Sequence, residues 1–208
     1  RANAPPSVTL STLCCGVDEA GRGPLAGPVY ASAVVLGDGA SRINGINDSK
    51  KLTAAKREAL APLIQAHASA WAIASASAEE VDRINILQAT MLAMFRAISQ
   101  LPAGSFTRIV IDGTQIPRDL RPWAAERGIE VVAQPRADAD VLEVGAASIL
   151  AKTARDTYMM DVHCRHPQYG FDAHKGYGTA QHMAALTAHG PCPEHRKTFA
   201  PVAQWSLL

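Results

Sequence analysis

Several things are scarce in this chain, and each scarcity removes a class of protein. Aromatic residues make up only 5% of the 208 residues, so alanine and branched aliphatics must fill most of the core. Only four cysteines occur, Cys14, Cys15, Cys164 and Cys192. Chain neighbours such as Cys14 and Cys15 seldom bridge each other, which argues against a disulfide framework and for a reducing, cytoplasmic setting. No apolar run approaches the ~20 residues of a membrane span, and the first residues lack the apolar stretch of a secretory signal. Neither sign of charge dominates: Lys and Arg number 20, Asp and Glu 19, for a net +1. Bulk charge therefore announces no nucleic-acid binder, and such a partner would need a local basic face.

What remains is a globular composition, 48% hydrophobic and 19% charged, of a length that suits one compact domain. Residues 1–12, with Pro5-Pro6, read as a disordered or extended tail. Residues 13–208 read as the domain, the part from roughly 165 to 208 being a small helical extension. Cys14–Val17 and Val29–Leu36 are strand-like and close enough for a hairpin. Thr53 caps a helix from Ala54, which Pro62 should kink or split. Ala70–Ser77 alternates as a third strand, and Glu79–Ile84 reads as a short helix. Leu87, Met91, Met94 or Phe95, Ile98 and Leu101 recur at helical spacing. Strands follow at Phe106–Ile111 and Ile129–Ala133, then a polar loop over 134–140 and a long helix from Val141 to about Cys164. Thr179 caps a last helix ending near His189. The order is summarised as β-β-β-α-β-(α)-β-α-α: early strands joined directly and antiparallel, later ones joined through helices and parallel. The class is α/β with a mixed sheet.

The chemistry gathers at the stretch from Cys14 to Pro28. An apolar strand runs into two acids, Asp18 and Glu19, and a Gly/Pro-rich turn follows at once. A solvated turn is the plain reading of such a pair. Asp112, however, ends a second apolar strand, and ligands of open α/β sheets gather at strand ends. If the two strands are parallel neighbours, the carboxylates converge. Glu19, next to Asp18 on a strand, should diverge from it unless the chain turns. Asp138 and Asp140 precede the long helix; they either cap it or add a ligand to the same sheet edge. Clustered carboxylates call for a divalent cation, and all-oxygen ligation suits Mg2+ or Mn2+. Two such ions ~3.5–4 Å apart activate water and stabilise the leaving oxygen in phosphodiester hydrolysis. Gly21-Arg22-Gly23-Pro24-Leu25-Ala26 formally fits a dinucleotide fingerprint, but a strand rather than a helix follows. The turn suits close approach to a sugar or phosphate.

The segment from His166 to Lys197 holds five histidines with Lys175, Arg196 and Lys197. It reads either as a solvated basic surface or as a phosphate groove in which Tyr169 or Tyr177 stacks on a base or sugar. Cys192 flanked by His189 and His195 is a third reading, a zinc site of unusual spacing.

The motifs Asp18-Glu19-Ala20-Gly21-Arg22-Gly23-Pro24-Leu25, Asp48-Ser49-Lys50-Lys51-Leu52, Asn85–Met91, Ile111-Asp112-Gly113, Ala146–Lys152 and His174-Lys175-Gly176-Tyr177-Gly178-Thr179 occur in this order. On them the chain resembles bacterial ribonuclease HII from Cys14 to Val202. The resemblance implies a ribonuclease H-like fold: a five-stranded mixed sheet flanked by helices, with a helical C-terminal part that binds substrate. It implies a metal site of Asp18, Glu19, Asp112 and Asp138, loaded with Mn2+ or Mg2+. Asp138 has Asp140 as rival, because Ala137 stands where the family usually has glycine. It implies that Gly21, Arg22 and Gly23 read a ribose 2′-hydroxyl, that Tyr177 packs on the following deoxyribose, and that Lys50 and Lys175 contact phosphates. The implied activity is hydrolysis 5′ to a ribonucleotide in RNA–DNA hybrids or at single ribonucleotides in duplex DNA, in the cytoplasm, by a monomer. A different nuclease of the same fold, such as a junction resolvase, and a non-enzymatic hybrid-binding module are the alternatives. The end Gln204-Trp205-Ser206-Leu207-Leu208 reads as an apolar frayed end or core plug, with a sliding-clamp contact as the second possibility.

Overall fold

The computed structural model describes residues 13–46 and 51–207. Five strands form one sheet: β1 (Cys14–Ala20), β2 (Val29–Val35), β3 (Ala70–Ala76), β4 (Arg108–Asp112) and β5 (Glu130–Gln134), in the order β3-β2-β1-β4-β5. β1 pairs antiparallel with β2, and β2 with β3. β1 pairs parallel with β4, and β4 with β5. The mixed sheet is thus the expected one. The summarised order needs one correction: α1 (Ala54–His67) stands between β2 and β3, which remain antiparallel although a helix joins them.

One face of the sheet carries Cys15, Val17, Ala31, Ala33, Ile109 and Ile111 and packs on α2 (Ala78–Ile84) and α3 (Ile86–Ser99). Ser77 and Glu80 form a reciprocal capping box at the start of α2, and Asn85, at φ 69°, turns the chain and caps α3. The buried stripe of α3 is mainly Ala89, Ala93, Met94, Ala97 and Ile98. Small alanines let the helix lie close, which leaves Leu87 and Met91 half-buried at its edge. On the other face lie α1 and the long helix α6 (Leu142–Arg165), with Val34, Ile64, Ile149 and Leu150 at their contact.

α6 is the spine. A Cβ on Gly16 would come within 2.2 Å of the backbone of Glu143 and Val144, so only glycine lets β1 lie this close to α6. Strand side chains alternate, so Asp18 faces α6 as Gly16 does.

Two more expectations need correcting. Pro62 neither splits nor ends α1, which runs unbroken. Leu60, Ala61 and Ile64 face the core while Pro62 is exposed, so the carbonyl its ring leaves unbonded can turn to water. The polar segment after β5 holds a helical turn, α5 (Ala137–Asp140). The helix expected in parentheses between the fourth and fifth strands is α4 (Leu120–Ala125).

After α6 the chain forms α7 (Phe171–His174), α8 (Ala180–His189) and α9 (Ala200–Ala203). Trp205 lies half-buried beside Gly190, as expected of a core plug. Among the described residues, no helix is long and apolar enough to cross a membrane.

Candidate active site

The sheet brings the acids together at one edge. Val17 stands opposite Ile111 in the parallel pairing of β1 and β4, so the next residues, Asp18 and Asp112, end adjacent strands on the same face. Asp18 is 6% exposed, and one of its carboxylate oxygens accepts from the backbone N–H of Glu19 at 2.8 Å. Ser148, one turn along α6 from the Val144 that touches Gly16, lies beside Asp18 and favours its charged form. Lys152, a further turn along, donates to the Ser148 hydroxyl at 2.9 Å. The helical period of α6 thus sets a ladder beneath β1.

Glu19 diverges from Asp18 as strand alternation requires, yet both interact with Asp112. Glu19 and Asp112 line one cavity of about 200 Å³, walled by Leu87, Thr90, Met91 and Met94 of α3 and by the loop Gly113–Gln115. Asp138 is 6% exposed in α5, which packs through Ala137 against Val110 and Val144. Asp140, its rival, is exposed. Neither caps α6, whose N-cap is Val141 without a side-chain bond.

The electrostatics are those of crowded anions. Burial first, and then the charges of Glu19 and Asp112, push the Asp18 carboxyl well above the usual carboxylate range. Burial also raises Glu19, against the pull of its hydrogen bond with Asp18 and of Arg22, whose guanidinium lies 3.8 Å away. Oε2 of Glu19 and Oδ1 of Asp112 are buried with no hydrogen-bond partner. Buried oxygens without partners, beside an Asp18 carboxyl pushed up by its anionic neighbours, form an all-oxygen set that fits a hard divalent cation such as Mg2+ or Mn2+. Among the described residues, no three Asp, Glu, His or Cys side chains are gathered closely enough to enclose an ion. The acids therefore face one another in repulsion rather than as a closed ligand cage.

Glu19 also opens onto a second cleft of about 420 Å³, lined by Gly21, Arg22, Gly23 and Tyr177 on one side and by Arg57, Lys152, Arg155 and Asp156 on the other. The predicted loop and the predicted tyrosine therefore meet: a Cβ on Gly23 would touch the Tyr177 ring at 3.4 Å. Tyr177 is 50% exposed, free to meet a ligand. Lys175 is not among the lining residues; its ammonium reaches back to the carbonyl of Asp172. Asp48, Ser49 and Lys50 lie outside the described residues.

The histidine-rich segment is not a basic surface. His174, His182, His195 and Arg196 are buried, and Tyr169 is buried with its hydroxyl donating to the Gly190 carbonyl at 2.6 Å. Cys192 N–H donates to Nδ1 of His195, so the neutral ring carries its hydrogen on Nε2 and points it at Nε2 of His182, 2.9 Å away. His182 then donates from Nδ1 to the Tyr177 carbonyl at 2.9 Å. With both ring nitrogens of His195 engaged, the zinc reading around Cys192 loses its ligand. This interior bonding escaped the sequence because buried and solvated histidines look alike in one dimension. Arg57, Lys152 and Arg155 were also missed. Ser148, Lys152, Arg155 and Met159 do recur at helical spacing along α6, a polar stripe in an otherwise apolar pattern, and that was the available signal.

The comparisons agree with this geometry. Residues 15–202 match the family described as Ribonuclease HII. The Ribonuclease HII of Dechloromonas aromatica is 53% identical over 198 residues, covering 94% of this chain and 95% of that protein. The Ribonuclease HII of Nitrosospira multiformis is 55% identical over 190 residues, covering 91% and 90%. Among solved structures, ribonuclease H2 of Pyrococcus horikoshii superposes with a TM-score of 0.75 at 25% identity, over 93% of this chain and 97% of its own. RNase HII of Archaeoglobus fulgidus, solved in complex with PCNA, gives 0.71 at 25% identity, over 93% and 96%. The junction-resolvase and binding-module alternatives fall to these matches. By a match over almost its whole described length, and with the acids at one sheet edge, the chain belongs to the ribonuclease HII family of metal-dependent ribonucleases H.

Proposed function

We propose that the chain hydrolyses the phosphodiester on the 5′ side of a ribonucleotide in duplex nucleic acid, leaving a 3′-hydroxyl and a 5′-phosphate. Its substrates are RNA–DNA hybrids and single ribonucleotides embedded in DNA, which gives it work in ribonucleotide excision repair and in removing RNA primers, in the cytoplasm. The observation that carries this reading is the position of Glu19, which lines both the acidic cavity and the cleft of the Gly21–Gly23 loop and Tyr177. Cutting and reading then share one continuous surface.

Asp18, Glu19, Asp112 and Asp138 would hold two divalent cations. When bound, these supply an activated water and neutralise charge on the departing 3′ oxygen. The protein's own groups do the rest. Gly21, Arg22 and Gly23 bring backbone close to the ribose, whose 2′-hydroxyl both donates and accepts. Tyr177 packs on the next sugar, where a second 2′-hydroxyl would collide. Arg57 and Lys152 add positive charge along the backbone path, and by the resemblance Lys50 and Lys175 are further phosphate contacts. The helical part from 165 onward carries Tyr177 and so belongs to the substrate-binding surface. The protein acts as a monomer in this reading. A clamp contact through Gln204–Leu208 would compete with the packing of Trp205 on its own chain.

The test is one assay in Mg2+ or Mn2+ on all-DNA, hybrid and single-ribonucleotide duplexes. Cleavage confined to the two ribose-containing substrates, with 5′-phosphate ends, is expected. Cutting of the all-DNA duplex would sink the reading. Tyr177→Ala should fold normally, its side chain being half exposed, and should weaken the preference for the RNA-to-DNA junction. Unchanged selectivity would leave the tyrosine a structural residue.

A further inference from the structure

Arg196 is fully buried, and among the described residues it makes no ion pair with a carboxylate. Its guanidinium instead donates to four backbone carbonyls of one loop. Nε bonds Gly27 O at 2.9 Å, one terminal nitrogen bonds Arg22 O at 3.0 Å and Pro24 O at 2.8 Å, and the other bonds Gly21 O at 2.6 Å. Burying a guanidinium without a counter-ion is costly, and an apolar side chain would fill the same space at lower cost. What the planar fork adds is direction.

That direction has a consequence for the loop's donors. In a planar trans peptide the carbonyl and the following N–H point opposite ways. With the oxygens of Gly21 and Arg22 turned inward to Arg196, the N–H groups of Arg22 and Gly23 turn outward. Gly21, Arg22 and Gly23 line the cleft beside Tyr177, so two successive donors face it. The segment bearing Arg196 is itself bolted to the loop: Arg196 N–H bonds Leu25 O, and Gly27 N–H bonds Glu194 O, each at 2.8 Å. From the other side, Asp82 fixes the turn after Arg196, accepting from the N–H groups of Lys197 and Thr198 at 2.9 Å each. Its neighbour His195 reaches the Tyr177 carbonyl through His182.

We propose that Arg196 is a positioning residue for ribose recognition, a guanidinium that collects the loop's carbonyls on one side so that its amides meet the 2′-hydroxyl on the other. The proposal rests on the reading that Gly21–Gly23 senses that hydroxyl. None of the atoms involved is an acid of the cavity, so Arg196 acts on selectivity and on kcat, while phosphate contacts, and with them KM, stay in place.

The experiment compares two duplexes in Mg2+, one with a single ribonucleotide and one with a 2′-fluoro nucleotide at the same position, which replaces the acceptor oxygen of the 2′ group with a far poorer acceptor for the loop's amides. The ratio of kcat/KM for the two is measured in the wild type, Arg196→Lys, Asp82→Ala and Val202→Ala. Val202 packs beside Leu25 and Leu186 and touches no loop carbonyl, so it controls for loosening of the same region. Lysine offers three donors on a point charge and cannot span four carbonyls. The expected result is a wild-type ratio well above one, about a tenfold fall in Arg196→Lys carried by kcat, a smaller fall in Asp82→Ala, and an unchanged ratio in Val202→Ala. A wild-type ratio in Arg196→Lys overturns the proposal, and so does an equal fall in Val202→Ala, since loosening alone would then explain the effect. If Arg196→Lys does not fold, an undiminished ratio in Asp82→Ala overturns it. A wild type indifferent to the 2′ group instead overturns the underlying reading of the loop, a result visible before any variant is compared.

Discussion

Asp112, one of the acids proposed to hold the metals, stands at a cost to stability. Its charge helps to raise the Asp18 pKa, and its Oδ1 is buried with no hydrogen-bond partner. Asp112→Asn should cut cleavage of a single-ribonucleotide duplex by more than the ~100-fold that outer-shell partners of a metal are worth. The same change should leave the metal-free protein as stable or more so, by on the order of 1 kcal/mol, because one like charge is gone. Urea unfolding in EDTA beside activity in Mn2+ checks both halves; full activity in the variant would sink the assignment of the acids. The paired strand ends were legible in the sequence, because acids after apolar runs stand out. The choice of Asp138 over Asp140 gains support only from burial, since four consecutive residues of α5 offer no pattern to separate them.

At the scale of elements, the contact between β1 and α6 fixes the height of Asp18 above Ser148. Gly16→Ala forces a methyl into the backbone of Glu143 and Val144. The expected cost is about 3 kcal/mol, the upper end of overpacking, because backbone cannot rotate away. Activity should fall with it, since Asp18 lies two residues on. Chemical denaturation with parallel kinetics tests this; a variant of wild-type stability would mean the two elements slide apart freely.

The histidine chain between the turn after α8 and Tyr177 is a second element-level device, and it works only with neutral rings. Burial first, then the neighbouring His182, holds His195 down at about 4, and burial likewise lowers His182. The unfolded chain protonates histidine near 6.5, the folded chain only well below that. The contribution of His195 is therefore full above pH 6.5 and lost as pH falls toward 4, amounting to ~3 kcal/mol. The drop in unfolding free energy between pH 7 and pH 5 should be smaller in His195→Gln than in the wild type. Equal drops would show that the ring does not carry the dependence.

For the whole molecule, the near-zero net charge hides a local asymmetry. Arg22, Arg57 and Lys152 ring the reading cleft. Binding of a hybrid duplex in EDTA should weaken with salt, with a log–log slope near −3 for about three phosphate contacts. Titration by fluorescence anisotropy at several salt concentrations measures it, and a flat response would show that the cleft does not follow the backbone.

The sequence by itself determined the strands, most helices, the acids that follow apolar runs and their closeness in the chain to the Gly21–Gly23 turn. These are local signals: alternation, caps, glycine turns and acids that end apolar runs. Only the tertiary structure decided that β1 and β4 are parallel neighbours in register, which is what turns Asp18 and Asp112 into one site. Only it revealed that His174, His182, His195 and Arg196 lie inside, bonded to carbonyls more than a hundred residues away in the case of Arg196 and its loop. A basic residue carries no local mark of the oxygens it will meet. Its role is set by which loop the fold lays across it, and that is a property of packing rather than of sequence.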